Sequence, residues 1–291
     1  MAMKNIYSII LFIIVVNSNL CLSQTDLATG FDVVENNHVI LTSVAGNRGV
    51  NGGRILWDTS HGIYVGYSPT GRYSGWKNLM ETFEREVLED STGVLNLDLS
   101  GFDVLIINVV SSWDSPYTIN EITEISSFVS DGGTLVFLSD NSTTHVENIN
   151  PICNFFGSAT GISEITPLDL VIQDFINHPI FQDVNQIFYR AAGEISSIPP
   201  SEVVAWTDAD EPILAIARYG SGKVLFTGDV NFMDNTYINN LDNQLFTENI
   251  FDWALQPRVA PVPTLSSIGL LLFGFLLTGF SLFFSRKTKT H

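Results

Sequence analysis

The chain has 291 residues, with 31 acidic against 13 basic side chains and a net charge of −18. So acidic a surface repels phosphate backbones and anionic headgroups, which excludes nucleic acid as a partner. Of the two cysteines, Cys21 falls in a segment expected to be removed, so Cys153 would stand alone and the mature chain would hold no internal disulfide.

The first 23 residues carry one charge, Lys4, followed by an apolar run from Ile6 to Val16. Cys21-Leu22-Ser23 then places small residues at the −3 and −1 positions of a cut before Gln24. This is the pattern of a cleavable secretory signal over residues 1–23. The apolar run is too short to span a bilayer comfortably, and Leu20 stands where a lipoprotein signal needs a small residue. Residues 24–50 form a lead-in to the domain.

Residues 51–256 alternate strand-like and helix-like segments. Arg54-Ile55-Leu56-Trp57-Asp58 is a short apolar strand, and Gly71 to Val87 has Trp76, Leu79, Met80, Phe83 and Val87 at helical spacing. Phe102 to Val110 is a continuous apolar run, as in a strand covered on both faces. A helix begins at Thr118, carries Ile122, Ile125, Phe128 and Val129, and ends at Asp131-Gly132-Gly133. Thr134 to Leu138 is a second buried strand, and a helix is expected around Val146 to Phe156. Further strands are expected around Leu170, at Ile187–Arg190 and Val203–Trp206, and in a pair, Ile213–Arg218 and Val224–Thr227. The pair is joined by a hairpin-like turn, Tyr219-Gly220-Ser221-Gly222. A last amphipathic helix carries Leu241, Leu245, Phe246, Ile250, Trp253 and Leu255. The strand–helix–strand rhythm of the first half indicates a parallel sheet flanked by helices.

After this domain, residues 257–263 contain three prolines and read as a stiff linker. The uncharged stretch from Thr264 to Ser285 is close to the roughly 20 residues that cross a hydrocarbon core. Arg286, Lys287 and Lys289 after it should stay cytoplasmic, which places the acidic domain outside. All 31 acidic residues lie between the two hydrophobic ends. The motif Val262-Pro263-Thr264-Leu265, followed by an apolar helix and a basic cluster, resembles the IPTL-CTERM sorting signals of bacterial surface proteins, with Val in place of the leading Ile. That resemblance implies a membrane partner through residues 264–291 and processing by export and sorting proteases. It also implies a folded domain that is extracytoplasmic, either membrane-anchored or sorted to the cell surface.

Within the domain, Trp57-Asp58-Thr59-Ser60-His61-Gly62, Asp103-Val104-Leu105-Ile106, Phe128-Val129-Ser130-Asp131-Gly132-Gly133 and Leu138-Ser139-Asp140 occur in an order that resembles a class I glutamine-amidotransferase-like domain. Gly228-Asp229-Val230-Asn231-Phe232 and Asp242-Asn243 continue it. The resemblance implies an α/β fold: an open, mostly parallel, flavodoxin-like sheet with helices on both faces, to which the signal and transmembrane helices are added. It does not extend to catalysis. Where an active amidotransferase has a cysteine after the strand ending at Leu138, this chain has Ser139-Asp140-Asn141, and no late His-x-Glu pair exists, the final histidine before the tail being His178. Cys153 lies in an apolar helical setting that suits an inert thiol.

Ligands of open parallel sheets bind beyond the carboxyl ends of the strands. Asp58, His61, Asp140, Asn141, Asp229 and Asn231 follow such ends and are the candidate ligand-binding residues, with Trp57, Tyr64 or Trp113 as a stacking platform. Asp58, His61, Asp140 and Asp229 could together hold a divalent cation of the calcium, magnesium or manganese kind. The same residues could instead bind an envelope glycan or peptide, or merely cap helices and shape turns. Ser60 and Ser139 lack the Gly-x-Ser-x-Gly surround of a hydrolase elbow. No residue is assigned a catalytic role. The leading expectation is an exported, membrane-anchored or surface-sorted protein with a non-catalytic, amidotransferase-like ligand-binding domain. The rival is a metal-assisted extracytoplasmic hydrolase.

Overall fold

A computed structural model describes residues 52–108 and 116–256. The signal over residues 1–23, the lead-in, Trp113, the linker, the sorting motif and the anchor all lie outside the described residues. Among the described residues, no helix is long and apolar enough to cross a membrane.

In chain order the strands are β1 (Arg54–Asp58), β2 (Glu86–Asp90), β3 (Val104–Asn108), β4 (Thr134–Leu138), β5 (Ser158–Ala159), β6 (Asp169–Ile172), β7 (Asp174–Phe175), β8 (Ile187–Arg190), β9 (Ser196–Ser197), β10 (Ser201–Trp206), β11 (Pro212–Tyr219) and β12 (Gly222–Thr227). The helices are α1 (Ser74–Thr82), α2 (Ile119–Ser130), α3 (Asn150–Phe155) and α4 (Asn243–Leu255). Eight strands form one sheet in the order β2-β1-β3-β4-β12-β11-β10-β7. From β2 to β12 every pairing is parallel, whereas β11, β10 and β7 add on as antiparallel strands. The sheet is therefore mixed. Its second half is antiparallel because the 219–222 turn closes a hairpin too short for the crossover a parallel pair needs.

Sequence pattern accounts for the centre of the sheet. Every residue of β3 and β4 is buried, as continuous apolar runs require. Thr118 caps α2 through a reciprocal box: Glu121 N–H donates to Thr118 Oγ1 (3.4 Å), and Thr118 N–H donates to Glu121 Oε2 (2.7 Å). Asp131 and Gly132, the latter at φ 108°, end it as expected.

Three helix expectations need correction. The last helix is Asn243–Leu255, and Leu241, at φ 47° and exposed, precedes it. The helix over Gly71–Val87 is only Ser74–Thr82, and Val87 belongs to β2, beside β1. Glu84 adopts φ 58° and turns the chain there, so the helical spacing of Phe83 and Val87 is coincidental. The helix over Val146–Phe156 divides into a 3-10 turn at Val146–Asn148 and α3, with Pro151 in its first turn.

Tertiary packing places α4 against the start of the sheet. Thr134 Oγ1 donates to Ala254 O (2.8 Å), and the buried Arg85 guanidinium bonds Asp252. Trp57, Tyr73, Trp76 and Phe251 form one chain of ring contacts, with neighbouring centroids 4.8–5.3 Å apart. Trp57, offered above as a stacking platform, is thus a core residue, fully buried. Tyr73 and Trp76 cover its ring, which leaves no face for a ligand.

Candidate functional site

Because β1, β3, β4 and β12 are mutually parallel and adjacent, their carboxyl ends share one edge of the sheet. Register puts Asp58 beside Ile107, Asn108 beside Leu138, and Leu138 beside Thr227. Asp58, Asn108, Ser139-Asp140-Asn141 and Asp229 therefore emerge along a single line, as the fold argument expects. They do not converge on one point.

Asp58 and His61 make one group. Tyr117 donates its hydroxyl to Asp58 Oδ2 (2.7 Å), and Ser60 N–H donates to Oδ1 (2.8 Å). The His61 ring stacks on Tyr117 with centroids 3.8 Å apart, and its Nε2 lies 3.0 Å from Glu121 Oε1. Glu121 thus serves two purposes, closing the capping box of α2 and holding the loop after β1. This joins β1 to α2; it leaves neither Asp58 nor His61 aimed at a shared metal.

Asp140 and Asp229 make the other. Asp229 is fully buried, and its two oxygens accept from Arg190 N–H and Asn231 N–H, each at 2.5 Å. Burial first, then the neighbouring Asp140 charge, holds its carboxyl well above the usual carboxylate range, against the pull of those N–H groups. The Asp140 carboxyl accepts from Asn141 N–H (2.8 Å), and burial raises its pKa to about 7, opposed by that N–H and by Arg72. Among the described residues no set of three or more His, Cys, Asp or Glu side chains is placed to hold a metal ion. The expected tetrad Asp58, His61, Asp140 and Asp229 is corrected to two separate pairs. Tyr117 and Glu121 engage the first pair, and the backbone N–H groups of Asn141, Arg190 and Asn231 engage the second.

The amides beside these carboxylates grip the chain itself. Asn141 Nδ2 donates to Ala191 O (3.0 Å), and Asn231 Nδ2 donates to Arg190 O (2.9 Å). Gly193 N–H donates to Gly228 O (2.8 Å), and a Cβ at Gly193 would lie 2.4 Å from Asp140 O, so only glycine permits this approach. Asn141, Asp229 and Asn231 hence act as anchors for the segment after β8, which occupies part of the edge where a ligand was expected.

Three residues not singled out in the sequence border Asp140. Arg72 bonds both the Tyr67 hydroxyl and Asp234, and its guanidinium lies 4.4 Å from the Tyr67 ring centroid. Asp234 also accepts from Thr236 N–H (2.7 Å) and Tyr237 N–H (3.1 Å). Burial raises the Tyr67 phenol, Arg72 lowers it, and the charge of Asp140 raises it again, so the three groups sense one another. Tyr64 is exposed beside Tyr67, with ring centroids 6.1 Å apart. Arg72 carried a readable signal: it is one of few cations in a strongly acidic domain.

Among the described residues, the candidate nucleophiles have no activating base within hydrogen-bond reach. Ser139 is fully buried and its hydroxyl donates only to Asp140 O (3.4 Å); the Ser60 hydroxyl is buried with no hydrogen-bond partner. Cys153 is fully buried in α3, and burial pushes its thiol far above the range in which a thiolate forms.

No family model matches this chain, and no curated protein matches it. Among solved structures, the N-terminal domain of mmIFT52 superposes with a TM-score of 0.55 at 16% identity, covering 69% of this chain and 96% of that domain. At that identity the likeness shows the fold alone. An α/β fold is therefore common to the two. A ThuA-like protein from Bacteroides uniformis gives a TM-score of 0.47 at 15% identity, over 75% of this chain and 96% of that one. An exo-beta-1,4-mannosidase from an Opitutaceae bacterium gives 0.48 at 12% identity, over 69% of this chain and 36% of that one. Neither of these two weaker likenesses carries an argument about chemistry.

Proposed function

We propose that this chain is an exported, membrane-anchored protein whose acidic domain binds a polar ligand without turning it over. In this reading the scaffold is an open, flavodoxin-like variant of the class I amidotransferase-like fold, in which the nucleophile position has become Ser139-Asp140. The observation that carries the reading is the use made of the strand-end groups. Asp58, Asn141, Asp229 and Asn231 spend their hydrogen bonds on the protein's own backbone and on Tyr117. What is left for a ligand is Asp140 and the exposed ring of Tyr64, with Tyr67 and Arg72 between them, bonded to each other and Arg72 also to Asp234. A protonatable carboxyl, a guanidinium and an exposed phenol ring suit the hydroxyl groups and apolar face of a sugar, so an envelope glycan is the ligand class proposed.

The test uses the full chain, purified in detergent, against an array of envelope glycans and peptides, alongside ammonia release from glutamine and protease accessibility in intact spheroplasts. The reading expects glycan binding that Asp140→Ala and Tyr64→Ala each weaken, no ammonia above a blank, and a domain digested from outside. Ammonia release would overturn the non-catalytic assignment, and protection of the domain in spheroplasts would overturn export. Binding confined to peptides would overturn the choice of ligand class.

A further inference from the structure

The other edge of the same sheet holds a cleft of about 290 Å³, lined by Pro200, Ile216 and Trp253 and by the polar side chains of His178, Glu202 and Arg218. Register explains why these groups meet. Arg218 lies directly opposite Lys223 across the β11–β12 pair, and Glu202 lies opposite Ile216 across β10–β11. Partners directly opposite in a ladder point to the same face, and Ile216 and Arg218 are two residues apart, so all four side chains share it. Trp253 of α4 closes this face, with Lys223 Nζ 5.2 Å from its ring centroid and donating to its carbonyl, and with the His178 ring edge-on to it at 5.5 Å.

Two cations, Arg218 in the lining and Lys223 opposite it in the ladder, face one lining carboxylate, Glu202. Two cations directly opposite each other in a ladder repel, and such pairs destabilise a sheet. Arg218 makes no ion pair among the described residues, and Glu202 is the one carboxylate of the lining. Burial first, then Arg218, lowers Lys223 to about 8; burial, Arg218 and Lys223 together lower His178. His178 Nδ1 accepts from Ile180 N–H (3.4 Å), which leaves Nε2 to carry the proton of the neutral ring. In a protein of net charge −18, the cleft therefore sets an exposed guanidinium and a histidine N–H around an indole and two aliphatic walls, with the buried Lys223 ammonium outside the lining, against Trp253. An anion placed here would relieve the repulsion, the guanidinium fork matches a carboxylate, and the apolar walls need an apolar body to cover them.

We propose that this cleft is a binding site for a small organic carboxylate with an apolar body. It is independent of the groups around Asp140, which lie at the carboxyl ends of the strands.

The experiment is calorimetric titration of the full chain in detergent with benzoate, with benzyl alcohol as its neutral counterpart, and with inorganic phosphate as an anion without an apolar body. Benzoate is expected to saturate one site, with the other two at least tenfold weaker. Arg218→Ala should weaken benzoate at least tenfold, and Asp140→Asn should leave it unchanged. Glu202→Gln removes the repelling carboxylate and should tighten benzoate several-fold, a gain that misfolding would not produce. The proposal is overturned if benzoate does not saturate, if benzyl alcohol or phosphate binds as tightly, or if Glu202→Gln weakens binding. Benzoate binding lost in Asp140→Asn but kept in Arg218→Ala would assign the anion to the other edge and overturn it equally.

Discussion

Replacing Asp140 by Asn should stabilise the protein at alkaline pH and leave it unchanged in acid. In the unfolded chain this carboxyl ionises near its ordinary value of 3.8, while burial holds it protonated up to about 7 in the folded state. Between those values the folded state binds the extra proton, so stability falls as pH rises through this window and levels off above it. At 1.36 kcal/mol per pKa unit the whole penalty is at most about 4 kcal/mol. Asparagine keeps the oxygen that accepts from Asn141 N–H, has no charge to desolvate, and removes the repulsion that raises Asp229. The gain at pH 8.5 should therefore lie between about 1 and 4 kcal/mol, or roughly 2–4 °C of melting temperature per kcal/mol for a domain of this size. Urea denaturation at half-unit steps from pH 3.5 to 8.5, followed by far-ultraviolet circular dichroism, measures it. The two curves should coincide near pH 3.5, diverge from about pH 4 and run parallel above about pH 7. A constant gap at every pH, or an Asn variant less stable at pH 8.5, would refute the reasoning.

Asp252→Ala should cost about 3–5 kcal/mol in the same assay, because it takes a carboxylate partner from the fully buried Arg85 side chain. The double change Arg85→Met with Asp252→Leu should recover most of that loss, and a double variant as weak as the single one would refute the pairing argument. Tyr117→Phe should cost about 1–3 kcal/mol by leaving buried Asp58 Oδ2 without its donor; equal midpoints in urea would show that this bond contributes nothing. Cys153 should resist a thiol reagent such as DTNB in the native protein and react fully in 6 M guanidinium, since it is completely buried and its thiol is pushed up. Rapid native labelling would refute that placement.

The sequence by itself determined the elements whose cues are local. Continuous apolar runs marked β3 and β4 because strands covered on both faces have no polar alternation, and Thr118 marked the start of α2, where the structure shows a capping box with Glu121. The absence of a cysteine after Leu138, and the line of polar residues following β1, β4 and β12, were legible for the same reason. Val87 was misread because an apolar residue at helical spacing looks the same whether it continues a helix or begins the next strand, and only the turn at Glu84 separates the two. What a strand-end side chain touches depends on residues distant in sequence, and the tertiary structure alone decided it. Asn141 meets Ala191, Asp229 meets Arg190, and Arg72 meets Asp234 across 162 positions. That is why three acids and one imidazole that one fold edge brings into line divide into two pairs, and why a cleft forms where Arg218, His178 and Trp253 come together from separate elements. Pattern fixes which face of an element is buried; long-range packing fixes which polar groups remain for a ligand once the backbone has been satisfied.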